Sequence, residues 1–331
     1  MFTKRSFTKL SITKHTLKMA TLGVTLVSCA TTVSADDAAD YPTKPIQFLV
    51  AAGAGGGTDN FARVVRPMFE EALDGARITV INLPAASGAL AHQRTANGAP
   101  DGHTLDFAST TLVTSLAAGQ NPIGLDQLTP VARLQSDVMA LFVNPERYPD
   151  FESFLAYAKE NPGKVTVGGT HTASPDHVAF LALRDASGLD MNFIPYDSTG
   201  NATANVLGNN IDATTTSLSP LLSYMEAGQM MPILVFSDER LSDYPDVPTT
   251  VEHEWDLTDG NDRAIFVHAD TPEPILQRLE ETFKSVYDSE EYQSYAERVN
   301  LDYRDGWMGS DEYRQRLERN YELYSRLLSN D

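Results

Sequence analysis

Cysteine is almost absent from this sequence of 331 residues, which contains only Cys29. One cysteine cannot form a disulfide within the chain, and a fold that excludes the first residues would have no thiol chemistry. Long hydrophobic runs are also lacking, since no internal stretch approaches the roughly 20 apolar residues that cross a bilayer. Repeats and low-complexity segments are missing as well. Because 42% of the residues are hydrophobic, the composition predicts a folded globular protein.

Basic residues are scarce, with 25 Lys and Arg against 45 Asp and Glu, and the net charge is −20. Five of these basic residues and no acidic residue lie in the segment 1–35, so the rest of the chain carries −25. This balance argues against nucleic acids and anionic membranes as partners. An anionic ligand would have to be attracted by local dipoles, because the overall field repels it.

The first 35 residues have the pattern of a secretory signal peptide. A basic segment precedes the apolar run 19–28, and the small residues TVSA end at Ala35. We therefore expect residues 1–35 to be a signal peptide and the protein to be periplasmic. The sequence LVSC at 26–29 also fits a lipoprotein cleavage box, in which Cys29 would carry a lipid anchor. Both patterns are intact, and both alternatives stay open.

Short apolar strands alternate with amphipathic helices over the rest of the sequence. Strands are predicted at 46–51, 77–82 and 139–143, and the last helix at about 310–328. Alternation with short connections is typical of parallel sheets that carry helices on both faces. No linker rich in Pro, Gly or Ser separates the two halves, so we expect strands to cross directly from one lobe to the other.

A glycine-rich stretch, VAAGAGGGTD at 50–59, joins the first strand to the first helix. It matches only two glycines of a dinucleotide fingerprint, and it lacks the lysine of a phosphate-binding loop. The unpaired N–H groups at the start of the helix can still hold an anion such as a carboxylate. Thr58 is expected to cap the helix, with Asp59 in the first turn. The alternative is a tight turn without a ligand.

Two further loops of small residues, PAASG at 84–88 and GGTHTAS at 168–174, lead into helices and could face a common cleft. Catalytic motifs are weak by comparison. No G-x-S-x-G motif occurs, and both S-x-x-K motifs lie in the segment 1–35. The spacing of His171, Asp176 and His177 fits no standard metal-binding pair. We expect no metal, no cofactor and no catalytic residue.

Several motifs together resemble the substrate-binding receptors of tripartite tricarboxylate transporters, the Bug family. They include GAGGGTD, NLPAASGA, GAPDGHTL, SPDHVA and DYPDVPT, in the expected order over nearly the whole chain after residue 35. The resemblance implies an α/β, two-lobed periplasmic-binding-protein fold of type II, which closes like a flytrap. Each lobe would be a mostly parallel sheet flanked by helices. We expect lobe 1 to comprise residues 36–136 and 265–331, and lobe 2 residues 137–264, with the ligand cleft between them and hinges at 135–139 and 262–264.

The resemblance also implies a function. An extracytoplasmic receptor of this family binds a small carboxylate, with di- and tricarboxylates favoured, and delivers it to integral membrane subunits of the transporter. Such a receptor is not an enzyme, and we expect a monomer. An exported enzyme that acts on small organic acids is the alternative.

By position, the resemblance assigns ligand binding to residues of four segments. In the first half these are Gly55, Gly56, Gly57, Thr58, Asp59, Ser87 and Gly88. In the second half they are Thr170, Ser174, His177, Tyr196 and Asp197. Thr216 and Ser217 stand where many members have an Asp, and Asp262 and Arg263 stand where a Trp is common. The neutral hydroxyls at 214–217 favour an acid without an amino group, and an inward Arg263 would bind a second carboxylate.

Overall fold

The computed structural model describes residues 40–331, so the predicted signal peptide and Cys29 lie outside the described residues. Strands and helices alternate as predicted. The strands are β1 (Ile46–Val50), β2 (Ile78–Asn82), β3 (Thr104–Ser109), β4 (Leu128–Val143), β5 (Val165–Thr170), β6 (Met191–Tyr196), β7 (Ala213–Ser217), β8 (Met231–Val235), β9 (Gly260–His268) and β10 (Met308–Gly309).

The helices connect these strands over short loops. They are α1 (Gly57–Ala72), α2 (Ala89–Ala96), α3 (Thr111–Ala117), α4 (Phe151–Glu160), α5 (Pro175–Ser187), α6 (Thr199–Leu207), α7 (Leu222–Glu226), α8 (Glu273–Tyr287), α9 (Glu290–Arg298) and α10 (Ser310–Ser329). Within residues 40–331, no helix is both long and apolar enough to span a membrane.

The strands follow the order β2-β1-β3-β9-β4-β7-β5-β6, with β8 and β10 also paired to β4. The ladders among β1, β2 and β3 are parallel, as are those among β5, β6 and β7. All antiparallel ladders involve β4 or β9. Each lobe is therefore a mostly parallel sheet that is completed by a long antiparallel strand.

Strand β4 passes directly from one lobe to the other. It pairs with β9 from Leu128 to Val138 and with β7 from Met139 to Val143. All 16 residues of β4 are buried. The expected crossing of strands is thus confirmed at Val138–Met139, whereas the lobe boundaries at 136/137 and 264/265 stay predictions.

Two large apolar cores lie on either side of this crossing. The first packs α1 and α8 against β1 and β3 through a chain of aromatic rings that includes Phe48, Phe69 and Phe283. The second surrounds β5 and includes Phe154 and Phe180. These two cores share no residue, so each can remain intact if the strands between them bend. A smaller third core joins Val178 of lobe 2 to Leu112 and Phe266 of lobe 1.

Helix α10 contacts both lobes. At its first turn, the hydroxyl of Ser310 donates to the carbonyl oxygen of Pro130 at 2.7 Å. Near its other end, Leu327 packs in the second core, and Asp331 beyond the helix reaches Arg184 of α5 at 2.9 Å. The helix therefore runs alongside the crossing strands as a further connection between the lobes.

Candidate functional site

The carboxyl ends of β1, β2 and β3 lie side by side. Val50, the last residue of β1, pairs with Asn82 and Phe107 on its two neighbours. The glycine loop after β1, the loop after β2 and the start of α3 after β3 therefore share one edge of lobe 1. This is the edge at which open α/β sheets bind ligands.

Lobe 2 has a corresponding edge. Thr170 at the end of β5 pairs with Tyr196 at the end of β6, and β7 runs parallel to β5. The predicted second-half residues therefore cluster at the carboxyl ends of three neighbouring strands. Asp197, directly after β6, is exposed at this edge.

Strands β4 and β9 bring the two edges opposite each other. On the lobe 1 side, Arg263 pairs with both Ser109 and Gln135. On the lobe 2 side, Ser217 pairs with Met139. The four strand steps from Gln135 to Met139 span about 13 Å. The carboxyl ends of both sheets thus face each other across this part of β4 and β9, which forms the floor of the candidate cleft.

The two lobes also approach each other beside the floor. A cavity of about 20 Å³ is lined by Thr110 at the start of α3, Pro175 at the start of α5, and Met139 and Gly260 from the crossing strands. This is room for about one water molecule. The first turn of α5 therefore lies next to lobe 1.

The glycine loop is braced by Asp59 rather than by Thr58. One carboxylate oxygen of Asp59 accepts the N–H of Gly55 at 2.8 Å and the Nε of Arg63 at 2.9 Å, and the other accepts the side-chain amide of Asn82 at 2.8 Å. The hydrogen bond from Arg63 is the main cause that lowers the pKa of Asp59 to about 2. Asp59 is fully engaged within the protein.

The expectation that Thr58 caps helix α1 is wrong. The helix begins at Gly57, and the capping residue is Gly56, which has no side chain to accept a hydrogen bond. Asp59, in the first turn, instead reaches back and accepts the N–H of Gly55 in the loop before the helix. Thr58 is buried in the first turn.

The loop after β2 is held against the glycine loop. Gly88 adopts φ +86°, and a Cβ at this position would lie 2.5 Å from the Cβ of Ala51. Ala86 and Ser87 also have positive φ values, of 51° and 56°. Three consecutive left-handed residues form a tight turn that only a glycine can complete at the point of closest contact.

Arg263 points toward the glycine loop. A Cβ on Gly57 would lie only 2.7 Å from the Nη2 of Arg263. Its Nη1 donates to the side-chain oxygen of Asn261 at 3.0 Å, and its Nε is buried without a partner. Burial lowers the pKa of Arg263, and the nearby carboxylate of Asp137 opposes this shift. A guanidinium with free donors therefore stands beside the N-terminus of α1.

In lobe 2, three of the predicted residues are engaged within the protein. The N–H and hydroxyl of Thr170 donate to Asp176 at 2.9 and 2.8 Å. The hydroxyl of Ser174 caps α5 by accepting the N–H of His177 at 3.1 Å. The two ring nitrogens of His177 contact the N–H of Ala173 and the carboxylate of Asp331. Binding by His177 would require one of these contacts to break.

The hydroxyls of Thr214 and Thr215 are directed into the protein. Thr214 donates to the carbonyl oxygen of Gly168, and Thr215 to that of Asp176, both at 2.9 Å. Thr216 and Ser217 are also buried, and they partly oppose the rise that burial causes in the pKa of Asp176 and Asp137 respectively. The hydroxyls of Thr214 and Thr215 are therefore not available to a ligand, whereas ligand binding by Thr216 and Ser217 stays a prediction.

Sequence reasoning missed Asp137 and considered Asp176 only as a metal ligand; both are buried carboxylates. Asp176 fixes Thr170 from the first turn of α5, and Asp137 lies on the crossing strand between the lobes. Burial raises the pKa of both. For Asp137, the available signal was an acidic residue directly before the apolar run VMALFV.

Comparison with known protein families gives one match that covers most of the chain. Residues 61–319 match the family described as "Tripartite tricarboxylate transporter family receptor". Among individual proteins, Protein BugT of Bordetella pertussis is 28% identical over 241 residues, which are 71% of this chain and 73% of BugT.

Solved structures with the same fold include relatives of this family. A TctC solute-binding protein from Polaromonas, without ligand, superposes with a TM-score of 0.78 at 28% identity, over 88% of this chain and all of that protein. MatC from Rhodopseudomonas palustris with bound malate superposes with a TM-score of 0.70 at 22% identity, over 87% of this chain and all of MatC.

Proposed function

Because the chain belongs to the tripartite tricarboxylate transporter receptor family, we propose that it binds a small organic carboxylate between its lobes. In this proposal it delivers the ligand to integral membrane subunits of a tripartite tricarboxylate-type transporter. Receptors of this family are periplasmic solute-binding proteins and not enzymes, so family membership removes the alternative of an exported enzyme.

The contact between Arg263 and Gly57 supports this proposal most directly. The N-terminus of α1 carries a partial positive charge and unpaired N–H groups. Arg263 adds a full positive charge within 2.7 Å of the Cβ position of Gly57. Two features that attract anions thus converge in a chain whose overall charge is −20. Such a local concentration of positive charge suits a carboxylate ligand.

A dicarboxylate or tricarboxylate fits this arrangement better than a monocarboxylate. The N–H groups of Gly55 and Gly56 already donate to Asp59 and to the carbonyl oxygen of Gly53. One carboxylate can accept the N–H of Gly57 at the start of α1, and a second can bind the guanidinium of Arg263. MatC, which shares the fold, has been solved with bound malate, a dicarboxylate.

The remaining predicted residues have two kinds of role in this proposal: some border the ligand, and others hold the neighbouring residues in place. Ser87 and Gly88 would border the ligand from the second loop, and Tyr196 and Asp197 from lobe 2. Asp59, Ser174 and Thr216 would hold the residues around the ligand in place, since their side chains are engaged within the protein.

Calorimetric titration of the protein without residues 1–35 tests the proposal. Succinate, malate and citrate serve as probes, and we expect at least one to bind saturably and to be recovered unchanged. Replacing Arg263→Gln removes charged hydrogen bonds and should weaken binding about 10- to 100-fold. The matched control is Arg298→Gln, an exposed arginine on α9, which should change binding less than twofold.

Two results would contradict the proposal. One is the failure of all three acids to bind the folded wild-type protein. The other is equal affinity of the wild-type protein and the Arg263→Gln variant for every acid that binds.

Delivery of the acid to the transporter requires its own measurement. Uptake of the radiolabelled acid should be lost in cells without this receptor and restored by the wild-type chain more fully than by Arg263→Gln.

A further inference from the structure

Asp137 is a buried carboxylate with one free oxygen at the floor of the cleft. Only 4% of the residue is exposed. Its Oδ2 accepts a hydrogen bond from the hydroxyl of Ser219, while its Oδ1 has no partner. Unpartnered buried carboxylate oxygens are rare in native proteins, because each forfeits its hydration without a replacement.

The surroundings place Asp137 between the two halves of the site. It pairs across the sheet with Asn261, two residues from Arg263, and Ser217 at the carboxyl end of β7 helps to counter the rise that burial causes in its pKa. The positive charge of Arg263 opposes the rise in the pKa of Asp137 that burial causes. No ion pair joins Asp137 directly to Arg263 among the residues the structure describes.

Arg263 and Asp137 thus present complementary free atoms to one region. The Nε of Arg263 is a buried donor without a partner, and the Oδ1 of Asp137 is a buried acceptor without a partner. Neither satisfies the other. A molecule that carries an acceptor and a donor on neighbouring atoms would satisfy both.

Given the proposed function, we propose that Asp137 is a specificity-determining residue that selects acids with an O–H or N–H donor beside a carboxylate. The carboxylate binds Arg263, and the donor on the adjacent carbon donates to the Oδ1 of Asp137. 2-Hydroxy and 2-amino acids share this chemistry. Residues 214–217 on β7 include no acidic side chain, but Asp137 on the neighbouring strand β4 supplies one.

The consequence is discrimination against acids that lack the donor. A plain dicarboxylate would leave the Oδ1 of Asp137 buried and unpaired after the cleft closes around it. Sites built to hydrogen-bond a substrate group reject analogues without that group more strongly than apolar pockets reject a missing methylene. We expect malate or aspartate to bind about 10- to 100-fold more tightly than succinate, the matched acid without a donor.

Calorimetric titration of these three acids into the wild-type protein, Asp137→Ala and Asp137→Asn tests the inference. Asp137→Ala removes the acceptor and should abolish the preference over succinate. Asp137→Asn keeps an acceptor oxygen but removes the charge. If the natural donor is a hydroxyl, malate should retain most of its advantage in Asp137→Asn. If it is an ammonium group, the advantage of aspartate should be lost in both variants.

The exposed Asp185 on α5 provides the matched control, and Asp185→Ala should keep the wild-type preference. Thermal unfolding verifies that each variant is folded, and the preference ratio is read only within one variant, so a general loss of affinity cannot imitate the effect. Succinate binding as tightly as malate and aspartate to the wild-type protein would overturn the inference while leaving the proposed function intact. Failure of all three acids to bind would instead count against the proposed function.

Discussion

The guanidinium of Arg263 packs against the backbone of Gly57, with Nη2 only 2.7 Å from the position that a Cβ would occupy. The two residues are 206 positions apart in the sequence and belong to the crossing strand β9 and to helix α1. Glycine is required at 57 because any side chain would displace the guanidinium. The close contact therefore requires both the absence of a side chain at Gly57 and the guanidinium of Arg263.

Gly57→Ala should therefore weaken carboxylate binding while leaving the fold intact. The colliding atom is the end of a flexible side chain, so Arg263 can move aside at little cost in stability. We expect a loss in affinity of about 10-fold, since one charged hydrogen bond is misplaced. Calorimetric titration with the acid that binds the wild-type protein measures this change.

Gly53→Ala is the matched control in the same loop, because a Cβ there meets nothing within 4 Å. Its affinity should match that of the wild-type protein. If Gly57→Ala bound the acid as tightly as Gly53→Ala does, the contact with Arg263 would have no part in binding.

Asp59→Asn should destabilise lobe 1. Asp59 accepts three N–H donors, and an asparagine would turn its own NH₂ group toward one of them. We expect the free energy of unfolding at pH 7 to fall by about 2 kcal/mol, the cost of losing hydrogen bonds to a charged acceptor. Urea unfolding measures it. The exposed Glu71→Gln, also on α1, should change it by less than about 0.5 kcal/mol.

The contribution of Asp59 to the free energy of unfolding should also depend on pH. Its pKa is lowered from 3.8 to about 2, so the folded protein holds the charged form more strongly than the unfolded chain does. The resulting stabilisation is present above pH 4 and is lost as the pH falls toward 2. The difference between the wild-type protein and Asp59→Asn should shrink over this window. A difference that stays constant from pH 5 to 2 would contradict the explanation.

His177 should make the protein less stable in mild acid. Burial is the main cause that lowers its pKa from 6.5, and the nearby Asp331 only partly opposes this shift. Because the unfolded chain takes up a proton more readily, the free energy of unfolding should be constant above about pH 6.5 and fall below it. Urea unfolding at pH 7.5, 6.5 and 5.5 measures the slope.

His177→Gln should reduce this slope between pH 6.5 and 5.5, whatever its effect on absolute stability. The exposed His171 lies in the preceding loop, and His171→Gln should keep the wild-type slope. Identical slopes in the two variants would assign the acid sensitivity to other groups.

Binding should favour a more compact molecule. Strand β4 changes partners at Val138–Met139, and the two lobes have separate cores, so bending there need not disrupt either core. Small-angle scattering of the wild-type protein with a saturating acid should give a smaller radius of gyration than scattering without it. The Arg263→Gln variant at the same acid concentration should show less compaction. Equal radii with and without a bound acid would indicate a cleft that is already closed.

The sequence alone determined the features that depend on neighbouring residues. The glycine loop, the alternation of strands and helices, and the last helix were predicted close to their observed bounds. The family resemblance was confirmed by the match over residues 61–319. These features could be found locally because hydrophobic periodicity and glycine content act over a few residues. Even so, the start of α1 was misassigned, since the helix begins at Gly57 and is capped by Gly56 rather than by Thr58.

Only the tertiary structure decided which polar side chains remain free at the cleft. The run at 214–217 was expected to face a ligand, but the hydroxyls of Thr214 and Thr215 donate to the carbonyl oxygens of Gly168 and Asp176. Arg263 could equally have pointed to solvent, and nothing in its neighbours along the chain set its direction. Asp137 and Arg263 come together through the pairing of β4 with β9, over more than a hundred residues of sequence. Such pairings depend on how two distant strands align, which local patterns do not encode.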